Sequence, residues 1–359
     1  MRRDGLVLIL VICSLLLTGC WDEKSYRDVT NVSLYGIEGQ PGKFKTMYAF
    51  PVFQDGSISY SKATGKGVST RGAKNSTNTS QGLDLAELEV LLVAEDSAKT
   101  DIYQYLDVLY RDPRNRLGAH MAIVEGEISP YFESGELLRD DLASYYSELI
   151  ETSNRYTLTP NVDLQQTCTL LFAEDISLSL PYMKMNKEEE KPEIFGTALF
   201  HKNEFTGEVL DIKESQLLNI LKNKKRKYLR LEYFWKSEGE ESPLSINVLS
   251  IKKDWEISNE KIDTSYTIKL SVEEFPHDKL YNEKMIKELD DFLSKELTKD
   301  LTSVIKKMQA AKSDAVGFGR PVRAFHPELW GKGDWLDTFS ELPINVKVEA
   351  KVTRTGILN

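Results

Sequence analysis

The first 20 residues restrict the rest of the chain most strongly, because they determine the compartment in which it folds. Two arginines precede an apolar run over residues 6–17, and Thr18-Gly19-Cys20 follows that run. A charged start, a short apolar run and small residues before a cysteine indicate a lipoprotein signal peptide. The run is too short to span a bilayer, which takes roughly 20 apolar residues. We therefore predict that residues 1–19 are removed and that Cys20 carries a diacylglyceryl lipid.

The cysteine count limits how such an exported chain can be stabilised. Cys13 lies in the predicted signal peptide, the lipid would block the Cys20 thiol, and Cys168 is the only other cysteine in the sequence. No internal disulfide can form in the mature chain, so its stability must come from buried apolar area. With 41% hydrophobic residues the chain can build a sizeable core. Cys168 lies among apolar residues and is predicted to be a small buried side chain.

The charge balance argues against one class of partner. The chain has 46 Lys and Arg residues against 56 Asp and Glu residues, which gives a formal net charge of -10. A nucleic-acid-binding protein would carry a clustered basic surface, so no nucleic-acid partner is predicted. Anionic headgroups would not attract an acidic chain either. The lipid, rather than a basic patch, is predicted to hold the protein at the membrane, because two acyl chains suffice for stable anchoring.

Composition and apolar patterning divide the mature chain into two parts. Residues 20–185 are typical of an α/β-type domain, and the charged stretch 186–193 predicts a linker. Residues 194–359 predict an α+β region, in which a division into two subdomains near residue 240 stays open. The fold class predicted for the whole chain is α+β and multidomain, with mixed sheets packed against helices.

Several elements are predicted in the first part. Alternating apolar residues predict two strands joined by a hairpin at Gly39-Gln40-Pro41-Gly42. The polar residues near 56–82 predict a mobile loop. Residues 90–124 show a strand-helix-strand pattern, which favours parallel strands joined by a helical crossover. Thr159-Pro160 predicts the start of a later helix, as a cap followed by proline at the first helical position.

The pattern changes in the second part. Residues 195–210 predict a β-hairpin, and three long strands follow a short helix. Residues 285–308 repeat apolar side chains on one face and predict one long amphipathic helix, whose apolar stripe is a core face. An alternating strand over residues 344–352 is predicted to end the domain.

The segment between the long helix and the last strand holds the candidate structural or partner contacts. These are Gly317, Phe318, Gly319, Trp330 and Trp335. Glycines on both sides of Phe318 allow a sharp chain reversal with the phenyl ring inserted into the core. The two tryptophans are predicted to be buried in the same region, and the alternative is that one of them is an exposed anchor for a partner.

The residues offer no catalytic constellation. The four histidines are scattered along the sequence without a second ligand at helical or hairpin spacing, so neither a metal nor another cofactor is predicted. Serine nucleophile elbows and paired cysteines are missing from the sequence. Acidic residues are abundant, so a carboxylate pair of the glycosidase type stays open. These observations predict no catalytic, metal-binding or cofactor-binding residues and indicate an exported, lipid-tethered binding or scaffold protein.

Several short motifs follow one another in a specific order. Leu17-Thr18-Gly19-Cys20-Trp21-Asp22 comes first, and residues 90–95, Tyr110-Arg111-Asp112 and Gly196-Thr197-Ala198-Leu199-Phe200 follow. The series ends with Ser313-Asp314-Ala315-Val316-Gly317-Phe318-Gly319, Trp330, Trp335 and Arg354-Thr355-Gly356. In this order and spacing the chain resembles, nearly end to end, the Ger(x)C family, the C subunits of spore germinant receptors in endospore-forming bacteria.

The resemblance implies a three-domain α+β lipoprotein on the outer face of the cell or spore inner membrane. It implies a non-enzymatic subunit that acts beside membrane-embedded A and B subunits, in a receptor that responds to small nutrients. It supplies no catalytic residues, and it leaves open which nutrient is sensed and whether this subunit contacts it.

Two alternatives share the anchor and the size of the chain. A solute-binding lipoprotein of a transporter would have two similarly built lobes around a deep cleft. A cell-wall hydrolase would have a cleft lined by carboxylates with shifted pKa values. Neither feature is expected of the receptor subunit.

Overall fold

Most strands before residue 212 pair into one mixed sheet. The computed structural model describes residues 29–54, 57–133, 142–237, 240–275, 280 and 282–355. The strands of this part are β1 (Val29–Asn31), β2 (Leu34–Gln40), β3 (Lys43–Gln54), β4 (Ser57–Gly67), β5 (Gly82–Asp84), β6 (Val90–Ala94), β7 (His120–Val124), β8 (Ser179–Asn186), β9 (Lys191–His201) and β10 (Glu204–Asp211). Eight of them form the larger sheet in the order β10-β9-β8-β7-β6-β2-β3-β4, while β1 and β5 pair separately. The predicted hairpin between β2 and β3 is confirmed.

The centre of the larger sheet is buried on both faces. β2, β6, β7 and β8 run parallel to one another. In β6, Val90 and Leu92 pack into one core and Leu91 and Val93 into another, and all four are fully buried. Such a continuous apolar strand is typical of a sheet covered on both sides. The predicted strand-helix-strand unit over residues 90–124 is confirmed, because β6 and β7 pair in parallel.

Helices from the same part of the chain cover the two faces. They are α1 (Thr70–Asn75), α2 (Glu95–Ala98), α3 (Tyr103–Arg111), α4 (Ser129–Glu133), α5 (Leu142–Arg155) and α6 (Leu164–Leu171). The predicted start of α6 at Thr159-Pro160 is wrong, because Asp163 caps this helix by accepting a hydrogen bond from the Gln166 N–H at 2.7 Å. The Thr159 hydroxyl is instead buried against the Ser153 hydroxyl at 2.7 Å.

The polar stretch near 56–82 is largely regular secondary structure, so the prediction of a loop there is wrong. β4 pairs with β3 along its whole length, and α1 packs beside it. The glycines of β4 allow this packing, since a Cβ on Gly65 would lie 1.9 Å from the Ala73 carbonyl oxygen. Small residues therefore serve close packing here and do not indicate a mobile chain.

The charged stretch 186–193 is a hairpin turn and not an interdomain linker. β8 and β9 pair antiparallel on either side of it, with Asn186 opposite Lys191. The larger sheet therefore continues through this stretch as far as β10. Charged residues suit the turn because its side chains at 187–190 lie mainly in solvent.

The second sheet is smaller and antiparallel except at one edge. Its strands are β11 (Arg230–Ser237), β12 (Glu240–Ile257), β13 (Ile262–Glu274) and β14 (Ile344–Arg354), paired in that order. The helices of this part are α7 (Ile212–Leu221), α8 (Glu283–Ala310), α9 (Gly319–Phe325), α10 (Pro327–Trp330) and α11 (Trp335–Glu341). Since β11 and β12 are hydrogen-bonded neighbours, residue 240 does not separate two subdomains. The predicted α+β fold and the long helix are confirmed.

The long helix α8 also protects the exposed edge of the second sheet. Side chains spaced four residues apart on α8 accept hydrogen bonds from alternate N–H groups of β14: Asp290 from Val352 at 2.7 Å, Ser294 from Ala350 at 2.9 Å and Thr298 from Val348 at 3.1 Å. An unpaired strand edge is a template for association with other chains, so these contacts blunt it. The apolar side of α8 packs into the core through Leu289, Leu293, Leu297, Leu301, Val304, Ile305 and Met308.

Candidate functional site

The candidate residues at 317–319 and 335 converge on one buried carboxylate. Asp314 is fully buried just after the end of α8. Its Oδ1 accepts hydrogen bonds from the N–H groups of Gly317 at 2.8 Å and Phe318 at 3.1 Å. Its Oδ2 accepts from the Gly319 N–H at 2.8 Å and from the Trp335 indole Nε1 at 2.9 Å. Four donors thus satisfy the carboxylate and fix the chain reversal that precedes α9.

The two glycines are required here for different reasons. Gly317 has φ +86°, a left-handed conformation that costs other residues free energy. Gly319 allows close approach, because a Cβ there would lie 2.5 Å from Trp335 Nε1 and 2.6 Å from the Asp175 carbonyl oxygen. Gly319 therefore lets the loop contact both the indole ring and the first part of the chain.

Aromatic rings surround the loop but differ in burial. The Phe318 ring is fully buried and lies 4.7 Å from the Trp255 ring, centroid to centroid. Trp335 is 4% exposed and packs 6.2 Å from Phe339. Trp330 stacks on Trp335 at 5.9 Å but is only partly buried. Phe318 and Trp335 are thus core residues, while a partner contact through Trp330 stays a prediction.

The loop that begins at Asp314 lies where the part of the chain that forms the larger sheet contacts the part that forms the second sheet. The Ser177 N–H donates to the Asp314 backbone carbonyl at 2.9 Å. The Asp175 carboxylate faces Arg323 at 3.6 Å and Arg320 at 3.8 Å, both on α9. We call this set of contacts the Asp314 junction. Beside it lies a depression of about 520 Å³, whose walls include Trp330 and Trp335.

Burial and hydrogen bonding act in opposite directions on the Asp314 carboxyl. Burial raises its pKa, and the hydrogen bonds from Gly319, Trp335, Phe318 and Gly317 oppose that rise. A carboxyl that is fully buried and already holds four donors cannot reach a substrate in solvent. Its chemistry is therefore that of a structural anchor.

The remaining cysteine also lacks the properties of a nucleophile. Cys168 is a free thiol on α6 and is half-buried, so the prediction of a buried side chain holds only in part. Burial raises the pKa of its thiol, which disfavours the reactive thiolate. The predicted lipid-attachment residue Cys20 lies outside the described residues. In the described ranges no helix combines the length and apolar composition needed to cross a bilayer.

Three carboxylates line a depression of about 340 Å³ on the second sheet, and a hydrolase of the glycosidase type would need two of them as an acid–base pair. Asp254, Glu256 and Asp263 line it. The hydrogen bond from Lys261 lowers the pKa of Asp263, whereas a general acid needs a raised pKa. Among the residues that the structure describes, no three His, Cys, Asp or Glu side chains are grouped to hold a metal ion. The geometry does not favour a hydrolase.

Sequence reasoning missed the central residue of the junction. Asp314 belongs to the motif 313–319 that carries the family resemblance, but the sequence alone indicates no role for it. Its position three residues before Gly317 is the available signal, because a carboxylate can accept hydrogen bonds from the backbone of a following tight turn. The donor from Trp335 lies 21 residues further along the chain, and no local pattern indicates it.

The fold and its junction define an α+β protein with two unequal sheets joined through a buried carboxylate. Two family models match it: the spore germination protein N-terminal domain over residues 22–185, and the spore germination B3/GerAC like, C-terminal domain over residues 195–356. The chain therefore belongs to the Ger(x)C family of spore germination proteins.

Individual relatives match along nearly the whole length. The chain is 24% identical to spore germination protein GerQC of Bacillus cereus, over 98% of each chain. It is 22% identical to spore germination protein KC of Bacillus subtilis (strain 168), over 100% of this chain and 97% of the relative. The crystal structure of the GerBC protein has a similar fold, with a TM-score of 0.54 at 20% identity, covering 89% of this chain and 97% of that one.

Proposed function

We propose that the protein is the lipid-anchored C subunit of a spore germinant receptor. It acts on the outer face of the cell or spore inner membrane, beside membrane-embedded A and B subunits, and it catalyses no reaction. The observation that carries this proposal is the match to spore germination proteins along nearly the whole chain. The lipoprotein motif ending at Cys20 supports the anchor.

The architecture disfavours the solute-binding alternative. A hinged binder would have two similarly built lobes. The described residues instead form an eight-stranded mixed sheet and a four-stranded sheet covered by α8. No observation therefore favours a transporter's binding protein over the receptor subunit.

Exposed aromatic area near the Asp314 junction suits contact with the membrane subunits. Phe172 at the end of α6 is 65% exposed and lines the same depression as Trp330. Large aromatic side chains are enriched at protein interfaces.

We expect Phe172→Ala to slow germination without lowering the melting temperature. Ile58→Ala is the matched control, because Ile58 is 62% exposed on β4, an edge strand of the larger sheet, and does not line this depression. Equal effects of both variants would remove the argument for this surface.

Complementation of a deletion strain tests the proposed function. The deletion strain would be complemented with the wild-type gene, with Cys20→Ala or with Cys168→Ala. The fall in optical density of the spores would then be followed after nutrient is added. We expect Cys20→Ala to abolish the response, since loss of the diacyl anchor removes most of the membrane affinity. Cys168→Ala controls for loss of a thiol and should respond normally. A normal response of Cys20→Ala spores would refute the lipid-anchored receptor subunit.

A further inference from the structure

A short basic segment interrupts this acidic chain immediately after α7. Residues 222–230 contain six Lys or Arg residues and no acidic residue, whereas the whole chain has a net charge of -10. Cations near the carboxyl end of a helix interact favourably with its dipole, but that effect fades within one turn. The dipole of α7 therefore explains Lys222 and does not explain the basic residues that follow.

Part of this segment lines a cleft of about 360 Å³ between the two parts of the molecule. We call this cleft the basic cleft. Four cationic side chains line it: Lys222, Lys224, Arg226 and, from α9, Arg320. No carboxylate is among its lining residues. Its opposite wall comes from α6 and the residues before it, including Gln166. Cations from two separate segments thus face one concavity.

The backbone of the basic segment is held in place by Thr157. Thr157 is buried and has φ +60°, an uncommon conformation for a β-branched residue. Its hydroxyl donates to the Tyr228 carbonyl at 2.6 Å and accepts from the Arg226 N–H at 3.1 Å. The Asn219 side chain donates to the Thr157 carbonyl at 3.3 Å. Thr157 therefore fixes the backbone of the segment at Arg226 and Tyr228 and also binds Asn219 of α7, just before the segment begins.

The charges in the cleft are poorly balanced by the protein itself. Among the described residues, no carboxylate forms an ion pair with Lys222, Lys224 or Arg226, and Arg320 reaches Asp175 only at 3.8 Å. Burial, together with the charges of Arg320 and Lys224, lowers the pKa of Lys222 to about 8, and the charge of Asp314 opposes this shift. Like charges held together in this way are relieved by a bound anion.

We propose that the basic cleft binds a phosphate-bearing anion through Lys222, Lys224, Arg226 and Arg320. Arginine and lysine are the side chains that recognise phosphate oxygens through charge-assisted hydrogen bonds. The phosphate could belong to a free small molecule or to an anionic lipid headgroup of the membrane that the protein is proposed to occupy. Anion binding at this cleft does not depend on which germination partners the subunit has.

The test uses the full-length lipoprotein in micelles of a neutral detergent at constant ionic strength. Its melting temperature would be followed while inorganic phosphate is titrated, and separately in micelles doped with phosphatidylglycerol or phosphatidylcholine. The double variant Lys224→Ser/Arg226→Ser removes two cations from the cleft. Lys225→Ser/Lys227→Ser removes the same charge from the same segment, outside the cleft lining, and is the matched control.

We expect a ligand-dependent rise in melting temperature for the wild type and for the control. The cleft variant should need at least about tenfold more ligand for the same rise, because it loses charge-assisted hydrogen bonds. A response to inorganic phosphate would indicate a free anion, and a response to phosphatidylglycerol alone would indicate a headgroup. No response of the wild type, or equal losses in the two variants, would overturn the proposal. Melting temperatures of both variants without ligand that are no lower than that of the wild type would show that they fold.

Discussion

The Asp314 junction and the basic cleft lie close together but handle charge in opposite ways. Ile176 lines both the depression beside Trp330 and the basic cleft. At the junction, one buried carboxylate accepts four hydrogen bonds. In the cleft, several cations share a concavity without a lining carboxylate. A fully satisfied charge stabilises the fold, whereas unbalanced charges are available to a ligand, so the two regions are expected to respond differently to substitution.

The largest effect is expected from Trp335. Trp335→Ala removes a buried indole and its hydrogen bond to Asp314, and should lower the free energy of unfolding by about 3 to 5 kcal/mol. Trp330→Ala is the matched control, because Trp330 is only partly buried and should cost about 1 to 2 kcal/mol. Denaturant unfolding followed by circular dichroism measures both. If the two variants keep the wild-type stability yet fail to support germination, the structural account of the junction is wrong and the partner surface lies there.

A somewhat smaller loss is expected from Asp314→Asn. The amide nitrogen cannot accept the hydrogen bonds that the carboxylate oxygens accept, so at least one buried donor is left unsatisfied at a cost of about 2 to 3 kcal/mol. Asp334→Asn is the control, since Asp334 caps α11 at an exposed position. Asparagine caps helices as well as aspartate does, so its cost should stay below about 0.5 kcal/mol. If the two variants lose equal unfolding free energy, the four hydrogen bonds to the Asp314 carboxylate do not stabilise the fold more than an exposed helix cap does.

The smallest effect is expected in the cleft and depends on pH. The pKa of Lys222 is about 8 in the folded protein, against an ordinary value of 10.5. Between these values the unfolded chain binds more protons at this site than the folded one, so the residue's destabilising contribution fades as pH rises from 8 to 10.5. Lys222→Met should therefore be more stable than the wild type at pH 7, by on the order of 1 kcal/mol, with the difference shrinking towards pH 10.

Lys312 provides the control of opposite sign for this measurement. The hydrogen bond to Asp337 raises the pKa of Lys312 above its ordinary value, so its stabilising contribution is present below that value and is lost only at higher pH. Lys312→Met should not be more stable than the wild type at pH 7. Thermal unfolding of both variants between pH 7 and pH 10 gives the comparison. A pH-independent difference for Lys222→Met would contradict the account of the cleft charges.

Local patterns predicted the elements whose signals are local. The apolar stripe of α8, the alternation in β14 and the hairpins at 39–42 and 195–210 each depend on neighbouring residues, and the structure has them all. The same reasoning failed at β4, where small polar residues form a strand because Gly65 and Gly67 let α1 pack on it. Strand pairing and helix packing decide such a segment, and neither is visible in its own composition.

The junction and the cleft depend on contacts between distant residues. The sequence identifies Phe318 and its flanking glycines. The Asp314 junction, however, also needs the Trp335 indole of α11 as a hydrogen-bond donor and a contact with Ser177. The cleft was missed because the net charge of the whole chain conceals a local excess of cations at 222–230. Arg320, which completes the cleft, lies about 90 residues further along the chain.

The most direct test of the central claim is to purify the protein from spore membranes and to identify the proteins that accompany it. A carboxyl-terminally tagged chain would be purified in neutral detergent, and the co-purifying proteins would be identified by mass spectrometry. We expect two membrane proteins, the A and B subunits, in constant proportion to the tagged chain, and a diacylglyceryl group on Cys20. Recovery of a transporter's membrane subunits in their place, or of a chain with an unmodified Cys20, would contradict the account.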